Sequence, residues 1–436
     1  MLDLQSLSKI GFGCYRVSIN SHIHRSALQH ALDLGCNLID TASSYMNGQS
    51  EELVGAVLNE RPNREAFVIT KAGYVGPQDE VFLASAAGVA ANRETVYLPD
   101  GTQHCIHPDF LKVQIERSLK RLNRSFIDGF LLHNPEYFLR LGRERASTSE
   151  FYRRIKQGFN FLEDMVHKRM IRFYGVSSNT LLCDSKQSDA VCLDDLVQAG
   201  QNVADTNYFR FIQFPCNLAE WSAVSPTKQG ASFVERARQR GLITIANRPL
   251  NAKVNGRLVR LALDAHVYRR MEPVVSLLDQ TVATLNRQLE LLGIDGDIED
   301  APAIHALRTR LTAFDNTEII DDFFQQVLGP LLKRLYPTNL YPDGIPATDQ
   351  EKFNNLHVAA RCHAQLMMNS AAESLRDDLV TQGRIADNKR SLPLAACEAV
   401  LKAGVDHVLV GMRRKEYVDT LSSLFGSPQN GSSVCH

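Results

Sequence analysis

Four residues in this chain could together move a proton to or from a carbonyl or alcohol oxygen. Asp40 and Tyr45 lie in CNLIDTASSY, Lys71 closes AFVITK, and His133 closes FIDGFLLH, each beside the end of a short apolar run. A phenol ordinarily titrates near ~10, too high for easy proton exchange at neutrality. An ammonium close to its oxygen lowers that value, and a carboxylate paired with the ammonium keeps it charged and aimed. A histidine opposite can orient the substrate oxygen and stabilise the charge developing on it. In this reading Tyr45 is the acid/base, and the reaction class is reductase or dehydrogenase. Taken singly, each residue has a plainer explanation. Asp40 beside Thr41 and Ser43 suits a polar turn, Tyr45 a surface aromatic, Lys71 a charge at a strand end, and His133 before Asn134 and Pro135 a turn histidine. It is the joint placement that favours chemistry. No metal-ligand set and no nucleophilic triad competes with it.

The elements that must position these residues are short β-branched and aromatic runs alternating with helical patterns, the signature of βα units around a parallel sheet. Strands are predicted near 10–16, 36–42, 66–72, 126–133, 171–178, 211–217, 242–247 and 407–412, and helices at 22–34, 49–60, 108–121, 151–168, 231–240 and 415–424. In the fourth connection Phe151, Ile155, Phe159, Leu162 and Val166 recur at steps of three and four, giving one face to cover a sheet. Eight strands close a (β/α)8 TIM barrel. A doubly wound open sheet is the rival, but it would normally carry a Gly-rich phosphate loop after its first strand, and GFGCYRVS lacks that spacing. Loops at the C-terminal ends of barrel strands share one mouth, so distant residues converge there.

Two connections exceed ordinary βα lengths. Residues 74–107 separate the third strand from its helix and read as an excursion over the strand ends, a lid or substrate wall. Residues 267–390 carry helical patterns at 273–292, 301–313, 318–335 and 351–380, broken by GIDGD and YPTNLYPDGIP. The expected division is 1–266 for barrel strands one to seven, 267–390 for a large mainly helical insertion, 391–425 for the last βα unit, and 426–436 for a frayed tail. The insertion's apolar stripe (Val274, Leu277, Leu278, Leu285, Leu289) reads as core before ligand groove.

Composition excludes several classes. The chain has 436 residues, 44% of them hydrophobic, and a formal net charge of -1. That suffices for a large core and implies neither a nucleic-acid surface nor a polybasic membrane patch. Apolar runs fall short of the ~18 residues of a membrane span, and no secretory peptide is evident at the N-terminus. The nine cysteines are scattered singly with no CxxC pair, which suits a reduced, cytoplasmic protein.

The ordered motifs resemble the aldo-keto reductase superfamily. IDTASSY supplies Asp40 and Tyr45 in the catalytic places, and GQSEELVGAVL looks like the following helix, with Glu51 and Gly55 fitting the pattern. ITK supplies Lys71 and LLHNP supplies His133; GVSSN, IQFPCN, RPL and VLVGMRR continue the series. The resemblance covers the barrel and neither long insertion. It implies NADPH, with NADH as the alternative, bound without a Rossmann domain. By that likeness Ser178 and Asn179 hold the nicotinamide carboxamide, Gln213 lies beneath the ring, and Leu250 borders the pyrophosphate. Arg413, Arg414 and Lys415 take adenosine phosphates, and Arg248 reaches a phosphate or an acidic substrate. The partner is then a small-molecule carbonyl or alcohol, and a protein partner or self-association through the helical insertion is also open. Two departures stand out. Asn247 occupies the place where an aromatic commonly stacks on the nicotinamide, and KEYVDTL replaces the residues that often hold the adenine. Two other functions remain open: a nicotinamide-assisted epimerase or isomerase, and a non-catalytic cofactor-binding regulatory protein.

Overall fold

The computed structural model describes residues 2–141, 147–183, 187–227, 230–254, 257–262, 274–298, 301–310, 317–386 and 390–426. Eight parallel strands form a closed barrel: β1 (Ile10–Gly13), β2 (Leu38–Asp40), β3 (Phe67–Ala72), β4 (Ile127–His133), β5 (Ile171–Ser177), β6 (Phe209–Pro215), β7 (Ile243–Asn247) and β8 (His407–Val410). Each strand pairs with its sequence neighbours, and β1 closes the ring against β8. The fold is the (β/α)8 barrel that the alternating pattern predicts. The first two strands are shorter than the sequence suggests, ending at Gly13 and Asp40.

The outer layer contains α1 (His22–Asp33), α2 (Gln49–Glu60), α3 (Pro108–Leu122), α4 (Thr148–His167), α5 (Leu193–Gln201) and α6 (Phe233–Gln239). On α4 the predicted stripe is the buried one: Phe151, Ile155, Phe159 and Leu162 lose all exposure. Ser147 caps this helix by accepting from the Glu150 amide. The helices α2 and α3 approach closely at Gly55, where a Cβ would collide with the Arg121 and Leu122 carbonyls.

A second compact unit runs from Arg257 to Gly383. It holds α7 (Val274–Leu291), α8 (Pro302–Arg310), α9 (Thr317–Phe323), α10 (Gly329–Leu335) and α11 (Ala347–Thr381). Its own core includes Leu278, Leu285, Ile320, Leu356 and Ala360, so the α7 stripe is core. The bounds differ from 267–390, since Arg257–Arg260 already forms a strand of this unit and α11 continues to Thr381. The helix predicted over 318–335 is interrupted by a π-turn at Phe324–Leu328. The chain then returns to the barrel unit through α12 (Leu392–Lys402), which has no counterpart in the sequence reading, and α13 (Lys415–Leu421). LPLAACEAVLK is apolar or small almost throughout, leaving little amphipathic contrast to reveal a helix. The tail expected at 426–436 lies outside the described residues beyond Gly426. Among the described residues, no helix is long and apolar enough to cross a membrane.

Two buried histidines make the barrel acid-sensitive. The His104 Nε2–H donates to the His133 carbonyl at 2.7 Å and the His407 Nδ1–H to the Ser8 carbonyl at 3.0 Å. Burial lowers both to about 4 from the ordinary 6.5. The folded chain therefore keeps them neutral at pH values where the unfolded chain has protonated its histidines. Stability is complete above the unfolded value and is lost as pH falls toward 4, by about 3 kcal/mol for each group at completion. Urea midpoints at pH 7.5 and 4.5 check this, and equal midpoints would contradict it.

Candidate active site

Strand alternation decides which side chains line the barrel interior. Leu38, Phe67, Ile69, Leu131, Phe211, Ile245 and Leu409 pack together as an apolar plug. Two residues further along the same strand faces come Asp40, Lys71, His133, Gln213 and Asn247, and Ser177 adjoins them at the end of β5. The C-terminal layer of the interior is thus polar on top of an apolar floor.

Within that layer Lys71 Nζ donates to Asp40 Oδ1 at 2.6 Å and to the Thr41 carbonyl at 2.8 Å, and it lies 3.3 Å from Tyr45 Oη. Asp40 and Lys71 are buried, with side-chain exposures of 5% and 0%. Tyr45 arrives from the turn before α2, in which Met46, Asn47 and Gly48 all take the left-handed conformation (φ 48°, 56° and 89°). A non-glycine residue there is strained, and such turns persist where the surroundings fix them. Ser50 supplies part of that support by donating to the Cys14 and Val17 carbonyls. Glu51 supplies more, since it accepts from Thr70 Oγ1 at 2.5 Å and Arg121 Nε at 2.6 Å, joining α2 to the strand segment before Lys71. His133 packs edge-on to Tyr45 with ring centroids 5.8 Å apart. All four predicted catalytic residues therefore meet at one mouth.

The electrostatics depart from the expectation in one respect. Burial drives the Tyr45 phenol above its ordinary value; the Lys71 ammonium pulls it down, Asp40 pushes back, and the net direction is upward. Desolvation at the barrel mouth outweighs the neighbouring cation, so Tyr45 is a protonated acid at neutral pH. Burial works against the Lys71 charge, yet Asp40 and Tyr45 outweigh it and hold the ammonium above its usual range. Burial likewise raises Asp40, opposed by Lys71 and Gln213. Donors on both of its oxygens fit the ionised form, which only accepts. Burial, with Lys71 and His104 nearby, pushes His133 well below 6.5, so its imidazole is neutral.

A shell that sequence reading missed holds His133. The Tyr74 ring lies 4.9 Å from it, and Tyr74 Oη accepts from Asn134 Nδ2 at 2.6 Å and meets Tyr137 Oη at 2.9 Å. Asn134 Oδ1 accepts from Asn179 Nδ2 at 3.1 Å, and Glu136 Oε1 from the Asn179 amide at 2.9 Å. Tyr74 and His104 come from the 74–107 excursion, which contains short helical turns and a two-stranded ladder pairing Val96–Tyr97 with Gln103–His104. Its signal was only a loop too long for its topology. Gly73 lets this excursion leave β3, because a Cβ there would collide with the His133 carbonyl and the His104 ring. Gly73→Ala is expected to lower stability by about 1–3 kcal/mol and to displace His133. Urea unfolding and turnover check it, and a neutral variant would contradict the packing.

The cofactor candidates occupy the other half of the mouth. Ser178 and Asn179 follow β5, Gln213 is on β6, Arg248 and Leu250 follow β7, and Arg413, Arg414 and Lys415 follow β8. These four strands are consecutive in the ring. Arg248 takes a left-handed φ of 54°, lies 3.5 Å from Glu220 Oε1, and has a buried Nε with no partner. Arg413 and Arg414 reinforce the burial that lowers His24 on α1, placing their charge beside that helix. Leu250 packs against the core. In Gln213, Nε2 donates to Asp40 Oδ2 at 2.9 Å and Oε1 accepts from Ser177 Oγ at 2.9 Å, so both ends of the amide are held within the protein. The Asp40 carboxylate captures the amide. A cleft of about 300 Å³, lined by Asn179, Leu182, Pro215, Glu220 and Trp221, opens beside this half.

Residues 9–209 match the aldo/keto reductase family. An uncharacterized oxidoreductase of Bacillus subtilis is 24% identical over 72% of this chain and 90% of its own length. An aldo-keto reductase [NADP(+)] of Schizosaccharomyces pombe is 30% identical over 28% of this chain and 33% of its own. An NADH-specific methylglyoxal reductase of Escherichia coli is 26% identical over 33% of this chain and 44% of its own. The chain thus spans most of the first relative and less than half of the other two. With the barrel, the buried Asp40–Lys71 pair, Tyr45 and His133 in one place, residues 9–209 carry the aldo/keto reductase family pattern.

Proposed function

We propose that this protein interconverts a carbonyl and an alcohol, with Tyr45 as the acid/base and a nicotinamide dinucleotide, NADPH in preference to NADH, as redox partner. The observation that carries the reading is the Lys71 ammonium, bonded to Asp40 at 2.6 Å and standing 3.3 Å from the Tyr45 oxygen inside a buried mouth. An ion pair that served only the fold would gain nothing from a phenol at its open end.

The residues present fit the dinucleotide. His133 Nδ1, Asn247 Oδ1 and Arg248 Nε are buried at this mouth without a hydrogen-bond partner, as groups awaiting a ligand are. Ser178 and Asn179 would face the carboxamide, Leu250 the pyrophosphate, and Arg248, Arg413, Arg414 and Lys415 the phosphates. That number of cations suits the additional phosphate of NADPH. When bound, the dinucleotide supplies or accepts the hydride. Tyr45, protonated, gives its proton to the substrate oxygen as charge develops there. Lys71 stabilises the phenolate left behind, and Asp40 keeps the ammonium charged and in line. Neutral His133 donates a hydrogen bond to the same oxygen, steadying it without competing for the proton. In the oxidising direction the Tyr45 phenolate takes the proton from the alcohol.

Trp221 is the chain's single tryptophan and lines the cleft beside Asn179. Titrating NADPH and NADH against its fluorescence, then following a carbonyl panel at the nicotinamide absorbance, tests the proposal. Saturable quenching, tighter for NADPH, with turnover is expected. A chain that binds neither dinucleotide would overturn it.

A further inference from the structure

A line of hydrogen bonds crosses the barrel mouth from β7 to β2, and its polarity is set at one end. Asp40 Oδ2 accepts from Gln213 Nε2 at 2.9 Å. In the ring of eight strands β6 lies opposite β2, so this bond spans the barrel axis. A carboxylate offers acceptors only, so the Gln213 amide must turn its NH2 toward Asp40 and its oxygen away. That oxygen accepts from Ser177 Oγ at 2.9 Å and from Asn247 Nδ2 at 3.3 Å. Asn247 is fixed in turn. With Nδ2 committed to Gln213, its Oδ1 faces the other way, where it is buried and has no hydrogen-bond partner. The charge on Asp40 thus orients two successive amides and presents a lone acceptor at the C-terminal end of β7. Native proteins rarely leave a buried carbonyl in that condition unless something else supplies the donor.

We propose that Asn247 Oδ1 accepts a hydrogen bond from an N–H or O–H donor at the nicotinamide riboside end of the dinucleotide, and that Asp40, acting through Gln213, sets the orientation that makes it an acceptor. The proposal rests on the function proposed above and adds a recognition residue to it. Gln213 becomes a positioning residue: both ends of its amide are engaged within the protein. The donor is either the carboxamide NH2 or a ribose hydroxyl, and both would find the same oxygen.

The test measures equilibrium Kd through Trp221 fluorescence, without turnover. NADP+ is compared with its 3-acetylpyridine analogue, in which a methyl group replaces the carboxamide NH2, on the wild-type protein, Asn247→Leu and Gln213→Leu. Asn247→Leu is expected to bind NADP+ about tenfold more weakly. Loss confined to NADP+ identifies the carboxamide as donor, and equal loss for the analogue identifies a ribose hydroxyl. Either upholds the proposal. Gln213→Leu leaves Asn247 in place but frees its amide to rotate, and about threefold weaker binding is expected. If Asn247→Leu binds both dinucleotides as the wild type does, recognition by Asn247 is overturned. If only Gln213→Leu is indifferent, the orientation is not imposed by Asp40 and that half is overturned. The comparison of NADP+ with its analogue on the wild type needs no variant to fold. An absence of an NADP+ preference there excludes the carboxamide arm. A wild type that binds neither dinucleotide removes the proposed function itself, an outcome separate from a wild type that binds while the variants are indifferent.

Discussion

Lys71→Met is expected to lower both stability and turnover more than any other single change in the barrel. The side chain is fully buried and donates to Asp40 Oδ1 and to the Thr41 carbonyl. Methionine fills the volume but leaves a buried carboxylate with Gln213 as its remaining donor. Breaking one side of a buried pair in this way costs about 3–5 kcal/mol. Turnover is expected to fall about a thousandfold as well, since the Tyr45 phenolate then forms without a cation beside it. The two effects separate in the double variant Asp40→Asn with Lys71→Met, which removes both charges. Its urea midpoint is expected to recover much of the loss while turnover does not. Equal stability of Lys71→Met and the wild type would contradict the buried pair.

Tyr45→Phe is expected to do the opposite, leaving the fold intact and removing the chemistry. The Tyr45 oxygen approaches only Lys71, at 3.3 Å, among its hydrogen bonds, and Lys71 keeps its two shorter ones. Stability should change by less than about 1 kcal/mol. Affinity for NADPH should stay within about threefold, because no atom assigned to the dinucleotide is touched. The rate constant for turnover should fall about a thousandfold, the scale of a general acid removed from the transition state. Fluorescence titration and steady-state rates on one preparation check both halves. A Tyr45→Phe protein that keeps wild-type turnover would show that the proton comes from elsewhere.

The site was legible in sequence wherever it followed strand periodicity. Asp40, Lys71 and His133 stand two residues beyond Leu38, Ile69 and Leu131, the interior face of their strands, so one alternation places both plug and chemistry. The same step from Phe211 to Gln213 and from Ile245 to Asn247 would have assigned both amides to the interior layer. The sequence reading treated them through resemblance and so missed that Asp40 claims the first. Tyr74 and His104 were illegible for another reason. They reach His133 from a long excursion whose path no local periodicity specifies, and only Gly73, needed for close backbone approach, hints at it. The direction of the Tyr45 shift was misjudged because sequence names neighbours but not how dry their surroundings are. In the second unit the helices were readable from their stripes, whereas its bounds were not, since a short strand and a polar helix end carry little contrast.

The central claim, hydride exchange at a carbonyl carbon matched to proton delivery by Tyr45, is tested most directly by isotope transfer. NADPH carrying deuterium at C4, prepared as each of the two stereoisomers, is incubated with the protein and the carbonyl panel, and the alcohols are read by mass spectrometry. The account predicts deuterium on the carbinol carbon from one stereoisomer only, with the yield falling about a thousandfold in Tyr45→Phe. Alcohol formed without deuterium from either stereoisomer, or label transfer undiminished in Tyr45→Phe, would contradict it.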